Sequence, residues 1–123
     1  MEIIIPEYGV GLDVQDFLKS ELDQLQIVEA LHKMEGYQKL THLQLGKGGK
    51  LENLGEGLYK LEVPIANLKL RFFGTFCSGQ LVLGYVFKKK TKRIPKKELE
   101  KARSRISQID CQIIAKLKNN QTT

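Results

Sequence analysis

The chain contains two kinds of apolar pattern: short continuous runs, and apolar residues spaced three or four apart. Continuous runs rich in β-branched and aromatic residues, bounded by Gly, Pro or Ser, are typical of buried strands. Runs of this kind lie at residues 2–6, 58–63, 68–73 and 80–87. The last three follow one another through short connections, which favours antiparallel pairing. The pattern therefore predicts an antiparallel sheet of about four strands.

Spacings of three and four predict helices on both sides of these strands in the sequence. The first helical stripe follows Asp13, which is placed to cap it, and ends at Gly36. Its apolar members are Val14, Phe17, Leu18, Leu22, Leu25, Val28, Leu31 and Met34. One long helix fits this stripe, and so do two helices with a break near Asp23. In either case we expect the helices to cover one side of the sheet.

The second helical stripe follows Pro95, which suits a first helical turn because proline has no backbone N–H to donate. Its apolar members are Leu99, Ala102, Ile106, Ile109, Ile113 and Leu117. This spacing predicts a carboxyl-terminal helix, with a polar tail that frays from about residue 119.

The composition is that of one globular domain. Of the 123 residues, 41% are apolar and 28% are charged, which is sufficient for a hydrophobic core at this length. No apolar stretch approaches the roughly 18 to 20 residues that span a bilayer. Residues 1–8 also lack the basic start of a signal peptide. We expect a cytoplasmic protein with no membrane partner.

The cysteines and histidines show no spacing typical of a metal site. Cys77 and Cys111 lie far apart without a CxxC pair, and we expect both to be free thiols. His32 and His42 also lack the spacing of metal ligands. The glycine-rich loop at residues 46–50 does not have the spacing of a phosphate-binding P-loop. The sequence predicts neither a metal nor a cofactor.

Positive charge is concentrated in one segment of the chain. Ten of the twenty Lys and Arg residues lie at residues 88–105, where Glu98 and Glu100 are the only acidic residues. The segment has a net charge of +8, against +6 for the whole chain. A concentrated basic surface attracts phosphates and releases their counterions, which favours a polyanionic partner. A solvated helix face beside a lysine-rich edge strand would have the same composition.

The order of residues in this segment resembles a known protein family. Its characteristic positions are Phe87, Lys89, Lys90, Thr91, Pro95, Glu98, Ala102 and Arg105. They resemble the closing signature of RelE/HigB-type toxins of type II toxin–antitoxin systems, including phage-derived members. Residues 51–63 and 70–73 resemble two preceding strands of that family. The resemblance implies one RelE-like α+β domain over residues 1–123: an antiparallel sheet of about four strands, amino-terminal helices packed on it as a hairpin, and a carboxyl-terminal helix.

The resemblance also implies an activity and partners. Toxins of this type are ribosome-dependent mRNA interferases, endoribonucleases that cut messenger RNA in the decoding site and are silenced by an antitoxin. The expected partners are thus mRNA on the ribosome and a cognate antitoxin protein. In cleavage without metal, the 2′-hydroxyl attacks the adjacent phosphate and fixed positive groups stabilise the transition state. A Lys or Tyr whose pKa is lowered by neighbouring cations would serve as the base.

Residue by residue, the resemblance assigns Arg71, Tyr85 and Lys90 to catalysis. Arg71 and Lys90 would hold the phosphate, and Tyr85 would position or deprotonate the nucleophile. The cations expected to bind RNA are Lys88, Lys89, Lys92, Arg93, Lys96 and Lys97. Strand alternation allows Arg71 and Tyr85 to share one face of the sheet but does not require it.

Two departures from the family pattern keep other functions open. Lys60 and Glu62 reverse the charge order of the family strand, and neither Tyr nor His follows Tyr85. One alternative is a ParE-like toxin that inhibits gyrase by protein–protein contact. Another is a relative that binds nucleic acid or a protein partner without catalysis.

Overall fold

A computed structural model of the chain describes residues 1–66, 68–89 and 92–121, with side chains described as far as residue 116. In chain order the elements are β1 (Glu2–Ile4), α1 (Val10–Glu21), α2 (Gln24–Gln38), α3 (His42–Lys47), β2 (Leu51–Gly55), β3 (Leu58–Ile65), β4 (Leu68–Cys77), β5 (Gln80–Lys88), α4 (Lys96–Ile106) and α5 (Cys111–Gln121). The predicted α+β class is confirmed.

The described strands form one sheet in the order β1-β5-β4-β3-β2. Neighbours from β2 to β5 are antiparallel, but β1 pairs parallel to β5, with Ile3 opposite Leu81. The antiparallel pairing predicted for β3, β4 and β5 is confirmed. The sheet as a whole is five-stranded and mixed, so the prediction of about four strands, all antiparallel, is wrong. Pairing between strands that are distant in the sequence, such as β1 and β5, has no local sequence signal. The apolar pattern also does not distinguish β2 from β3.

Tight hairpins with positive φ angles join the antiparallel strands. Glu56 (φ 53°) and Gly57 (φ 79°) connect β2 to β3, and Ser78 (φ 50°) and Gly79 (φ 82°) connect β4 to β5. Positive φ at both central residues is the geometry of a two-residue turn that matches the twist of the strands. These turns set the register of β2 with β3 and of β4 with β5, and Arg71 lies opposite Phe87 on β5. On its other side Arg71 lies opposite Glu62 of β3.

Helices cover both faces of the sheet. The larger core lies between α1, α2 and one face, where Val14 and Met34 pack with Phe72 and Leu83. On the opposite face, Ala102 and Ile106 of α4 pack with Phe73, and α5 adds Ile114. The expectation of helices on one side is wrong, because β4 and β5 are apolar on both faces and need cover on both.

The amino-terminal stripe forms two helices. Leu22 is extended, and Asp23 caps α2 by accepting from the backbone N–H of Gln26 at 2.8 Å. The break changes the phase of the second helix, so Leu25 is 83% exposed and Val28 64% exposed. Leu31 is exposed as well, and α2 buries Ala30 and Met34 instead. The prediction that the apolar stripe continues through Leu25, Val28 and Leu31 is wrong.

The start of α1 also differs from the prediction. The helix begins at Val10 after Gly9, and Asp13 lies in its first turn instead of capping it. Gly11 permits this start, since a Cβ at that position would lie 2.0 Å from the carbonyl oxygen of Pro6. The chain therefore turns into α1 earlier than the apolar spacing indicates.

The carboxyl-terminal stripe is likewise interrupted. After α4, Asp110 begins a new helix by accepting from the backbone N–H of Gln112 at 2.9 Å. The shift in phase buries Ile114 and leaves Ile113 exposed. The side chain of Leu117 lies outside the described set.

A disulfide joins Cys77, the last residue of β4, to Cys111, the first residue of α5, with Cα atoms 5.2 Å apart. The expectation of two free thiols is wrong. The two cysteines are separated by 34 residues, and only the packing of α5 against the end of β4 brings them together.

Within the part of the chain that the structure describes, no helix has the length and apolar character needed to cross a membrane.

Candidate nucleic-acid interface

The candidate site lies on the sheet face that α4 covers. Phe73 packs with Tyr85 and Phe87 on this face, and the Phe73 and Phe87 rings are stacked 5.7 Å apart. Arg71 shares the face, with its guanidinium 5.9 Å from the centre of the Phe87 ring. The structure therefore brings Arg71 and Tyr85 to the same side of the sheet.

A β-bulge produces this arrangement. Phe73 pairs with Tyr85, whereas the next residue, Gly74, pairs with Leu83, so the register shifts at this point. The extra residue, Gly84, changes the alternation of β5. As a result Tyr85 faces α4 while Leu83 packs with α1 and α2. Simple alternation along β5 would have placed Tyr85 and Leu83 on one face.

Arg71 is buried, with only 1% of its surface exposed. Its Nη2 atom donates a hydrogen bond to the backbone carbonyl oxygen of Lys92 at 2.9 Å. Together with the contact to the Phe87 ring, this bond holds the backbone at Lys92 against the sheet. Arg71 thus positions Lys92.

Tyr85 donates its hydroxyl hydrogen to the carboxylate of Glu98, the third residue of α4. Burial, followed by the hydrogen bond and the negative charge of Glu98, raises the pKa of Tyr85 above its ordinary value. Arg105 acts in the opposite direction but does not reverse the shift. The expectation of a Tyr85 pKa lowered by cations is wrong, because the nearest charge is a carboxylate. At neutral pH Tyr85 is a neutral phenol.

The lysines at the end of β5 form ion pairs. Lys88 lies 3.3 Å from Glu21 of α1, and Lys89 lies 3.0 Å from Glu62 of β3. Burial raises the pKa of Glu62, but the hydrogen bond from Lys89 and the charges of Lys89, Lys69 and Lys60 outweigh it and hold that pKa below its ordinary value. Lys90, predicted to be catalytic, lies outside the described residues.

Lys60 and Glu62, the two positions that depart from the family pattern, both have charged neighbours. Lys60 lies 2.9 Å from Glu52, while Glu62 pairs with Lys89. Their reversed charges thus form part of a network across β2, β3 and the end of β5.

The remaining predicted cations are exposed. Lys92 and Arg93 lie just before α4, and Lys96 and Lys97 occupy its first turn. We refer to these four residues as the basic surface. The amino terminus of α4 adds its partial positive charge at the same place. The basic surface presents four cations to solvent within six residues of the sequence.

Two further arginines of the basic segment connect elements of the fold. Arg105 donates to Asp13 of α1. Arg103 donates to the carbonyl oxygen of Leu54 at 3.2 Å and lies 3.6 Å from Glu56. These contacts attach α4 to α1 and to the turn between β2 and β3. They hold the basic surface in place instead of adding to it.

A cleft of about 270 Å³ lies between α1, β5 and α4. Phe17, Tyr85 and Phe87 contribute aromatic walls, and Asp13, Glu98 and Arg105 contribute charges. In the sequence Glu98 is identified only as a position of the family signature, and its contact with Tyr85 has no sequence signal because it depends on the bulge in β5. Among the described residues, no three His, Cys, Asp or Glu side chains are placed to hold a metal ion.

Comparison of the chain with known protein families, with curated proteins and with solved structures finds no match. The candidate interface therefore rests on the geometry of this chain's own residues.

Proposed function

We propose that this chain binds RNA through the basic surface and acts as an mRNA-interferase toxin of a type II toxin–antitoxin system. The observation that carries the proposal is the exposure of Lys92, Arg93, Lys96 and Lys97 together at the start of α4. The resemblance of residues 51–105 to RelE/HigB-type toxins supplies the identity of the RNA as mRNA on the ribosome, and a cognate antitoxin as the silencing partner.

The charge distribution supports binding of a phosphate backbone. Lys92 and Arg93 are adjacent in the sequence, as are Lys96 and Lys97, and all four residues are exposed. Phosphates bound by exposed cations release condensed counterions, which drives association and makes it sensitive to salt. The aromatic cleft beside α4 supports binding of single-stranded RNA, because aromatic rings stack on bases of any sequence.

In the proposed reaction the ribose 2′-hydroxyl gives its proton to water and its oxygen attacks the adjacent phosphorus. The new bond forms a 2′,3′-cyclic phosphate as the bond to the 5′-oxygen breaks, and the 5′-oxygen takes up a proton from water. The basic surface would hold the flanking phosphates, and Lys90 would stabilise the charge that develops on the reacting one. Since Tyr85 is a neutral phenol, its role in this reaction is to orient the attacking 2′-hydroxyl and not to remove its proton. Arg71 acts by positioning the backbone of Lys92.

Binding of RNA without cleavage is the second candidate. The observation that favours it is the placement of two proposed catalytic side chains: Arg71 is buried, and the Tyr85 hydroxyl donates to Glu98. The Arg71 guanidinium is thus withdrawn from solvent, and the Tyr85 hydroxyl is engaged by a carboxylate. A protein of this kind would occupy RNA through the basic surface and leave it intact.

The experiment that separates these functions is inducible expression in bacteria with mapping of messenger RNA 5′ ends before and after induction. New ends inside translated codons, absent when translation is blocked, are the expected result for an mRNA interferase. The variant Lys96→Ala/Lys97→Ala should lose these ends. A matched control, Lys39→Ala/Lys47→Ala, removes two exposed lysines from α3 and the end of α2 and should retain them.

Other outcomes of the same experiment decide between the alternatives. Growth arrest with uncut transcripts contradicts cleavage. Copurification of intact RNA in that case supports the binding function, and its absence contradicts both. Arg71→Met retains an apolar stem against Phe87 and tests the positioning role, because it should reduce cutting while the circular dichroism spectrum stays native.

A further inference from the structure

The Cys77–Cys111 disulfide has one buried and one accessible end. Cys77 is 2% exposed at the end of β4, whereas Cys111 is an exposed residue at the start of α5. A thiolate opens a disulfide by attacking one sulfur and displacing the other, so access decides which sulfur is attacked. The burial of Cys77 directs any attacking thiol to Cys111.

A cleft adjoins Cys111. It has a volume of about 350 Å³ and lies between the β2–β3 turn, the end of β4 and the segment that joins α4 to α5. Thr75, Ser107 and Cys111 are among its lining residues, and the described lining does not include Cys77. A volume of about 350 Å³ is sufficient for a small thiol.

The disulfide is a main attachment of α5 to the sheet. Among the side chains of this helix that the structure describes, Ile114 is buried, in a cluster with Cys77 and Val82. Gln112, Ile113 and Lys116 are exposed. Breaking the disulfide therefore leaves α5 with a small apolar contact and removes its covalent link to β4.

We propose that this disulfide is a thiol-exchange site that opens at Cys111 by reaction with a low-molecular-weight thiol and releases α5 from the sheet. The attacking thiolate forms a bond to the Cys111 sulfur as the bond between the protein sulfurs breaks. The electron pair leaves on the Cys77 sulfur, which takes up a proton. A second thiol attacks the small-molecule sulfur of the mixed disulfide, which frees Cys111 as a thiol and releases the oxidised small molecule.

The stoichiometry is two small thiols oxidised to one disulfide for each protein disulfide reduced. α4 keeps its own contacts in the reduced protein, since Ala102 and Ile106 pack with Phe73 and Leu58 on the sheet. The basic surface thus stays in place when α5 is released. The exchange site does not depend on the proposed RNA function.

The test is incubation of the native oxidised protein with reduced glutathione, followed by alkylation and peptide mass spectrometry. The expected first product carries glutathione on Cys111 and a free, alkylatable thiol at Cys77. In the reduced protein, hydrogen exchange of the α5 backbone amides should accelerate about tenfold or more, while amides of β4 and β5 remain protected. An adduct on Cys77, no reaction with the folded protein, or unchanged α5 exchange overturns the proposal.

Two matched variants test access through the cleft. Ser107→Phe fills part of it, because Ser107 is a lining residue, and should slow formation of the Cys111 adduct several-fold. Ser104→Phe places the same side chain at an exposed position of α4 outside the described lining and should react at the unaltered rate. Equal rates for both variants overturn entry through this cleft. Cys77→Ser/Cys111→Ser should show fast α5 exchange without any thiol, and a protected α5 in that variant contradicts the proposed attachment.

Discussion

Tyr85 is held as a neutral phenol by burial and by the Glu98 carboxylate. Because its pKa is raised in the folded protein, the folded state holds the phenol proton more tightly than the unfolded state does. The resulting contribution to stability is fully present below the ordinary pKa of 10.0 and is lost as the pH rises above it. Tyr85→Phe removes this titration.

The free energy of unfolding of Tyr85→Phe should be about 1 kcal/mol lower than that of the native protein at neutral pH, because the hydroxyl's hydrogen bond is lost. The difference should shrink at alkaline pH as the native protein loses the contribution of Tyr85. Urea unfolding of both proteins at neutral pH and above the ordinary tyrosine pKa measures it. A difference that stays constant across this range would show that Tyr85 ionises as freely when folded as when unfolded.

The pKa of Glu62 is shifted in the opposite direction to that of Tyr85. The Glu62 pKa is lowered in the folded protein, so the contribution of this residue to stability is present above the ordinary value of 4.5 and is lost as the pH falls through the folded value. Glu62→Gln should cost about 1.5 to 3 kcal/mol at neutral pH, since Lys89 loses a charged hydrogen-bond partner. That cost should fall in acid.

Urea midpoints at neutral pH and below 4.5 measure this change for Glu62→Gln. Glu52→Gln is the matched control, because Glu52 also pairs with a lysine but its side chain is 59% exposed. The control substitution should leave the free energy of unfolding nearly unchanged at both pH values, because exposed ion pairs contribute little to stability. If both variants lose the same stability, the partial burial of the Glu62–Lys89 pair has no energetic consequence.

At the scale of elements, the break at Leu22 and Asp23 decides which residues of α2 enter the core. Leu25 is 83% exposed and Met34 only 5% exposed. Met34→Ala should therefore lower the free energy of unfolding by about 2 to 5 kcal/mol. Leu25→Gln should change it by no more than about 0.5 kcal/mol. Thermal or urea unfolding compares the two directly, and a large loss in Leu25→Gln would mean that the stripe runs unbroken through Asp23.

The same elements show what sequence patterns can predict. The runs at residues 58–63, 68–73 and 80–87 became β3, β4 and β5, because turn residues and apolar runs are local signals. The break near Asp23 could be proposed from the sequence as one of two alternatives but not decided, since an apolar spacing of three and four continues through Leu22 and Asp23. The parallel pairing of β1 with β5 depends on residues about 78 positions apart, as between Glu2 and Gln80. No local pattern encodes such a contact.

At the scale of the whole molecule, the sequence predicts where the positive charge of the candidate site lies along the chain. It does not predict how the side chains of the site are arranged. The basic segment could be located from composition, and four of its predicted RNA-binding cations are exposed. The burial of Arg71 has no signal in the sequence, because it depends on a contact with the backbone of Lys92, 21 residues later in the chain. The sequence also could not place Tyr85 opposite Glu98, which depends on a bulge and on the docking of α4.

The basic surface, and not the overall charge of +6, should govern how RNA binding responds to salt. Each phosphate neutralised on a single strand contributes a slope of about −0.7 to the dependence of log affinity on log salt concentration. If the four cations of the basic surface each contact one phosphate, the slope is about −3. Lys96→Ala/Lys97→Ala should reduce its magnitude by about 1.4.

Fluorescence anisotropy with a labelled single-stranded RNA, measured over a series of potassium chloride concentrations, gives these slopes. Lys39→Ala/Lys47→Ala removes the same number of exposed lysines elsewhere on the surface, so the two double variants have equal net charge. The native slope is expected in this control, because those lysines make no phosphate contact. Equal loss of slope in the two variants would mean that RNA responds to the total charge of the protein and that the start of α4 is not its binding site.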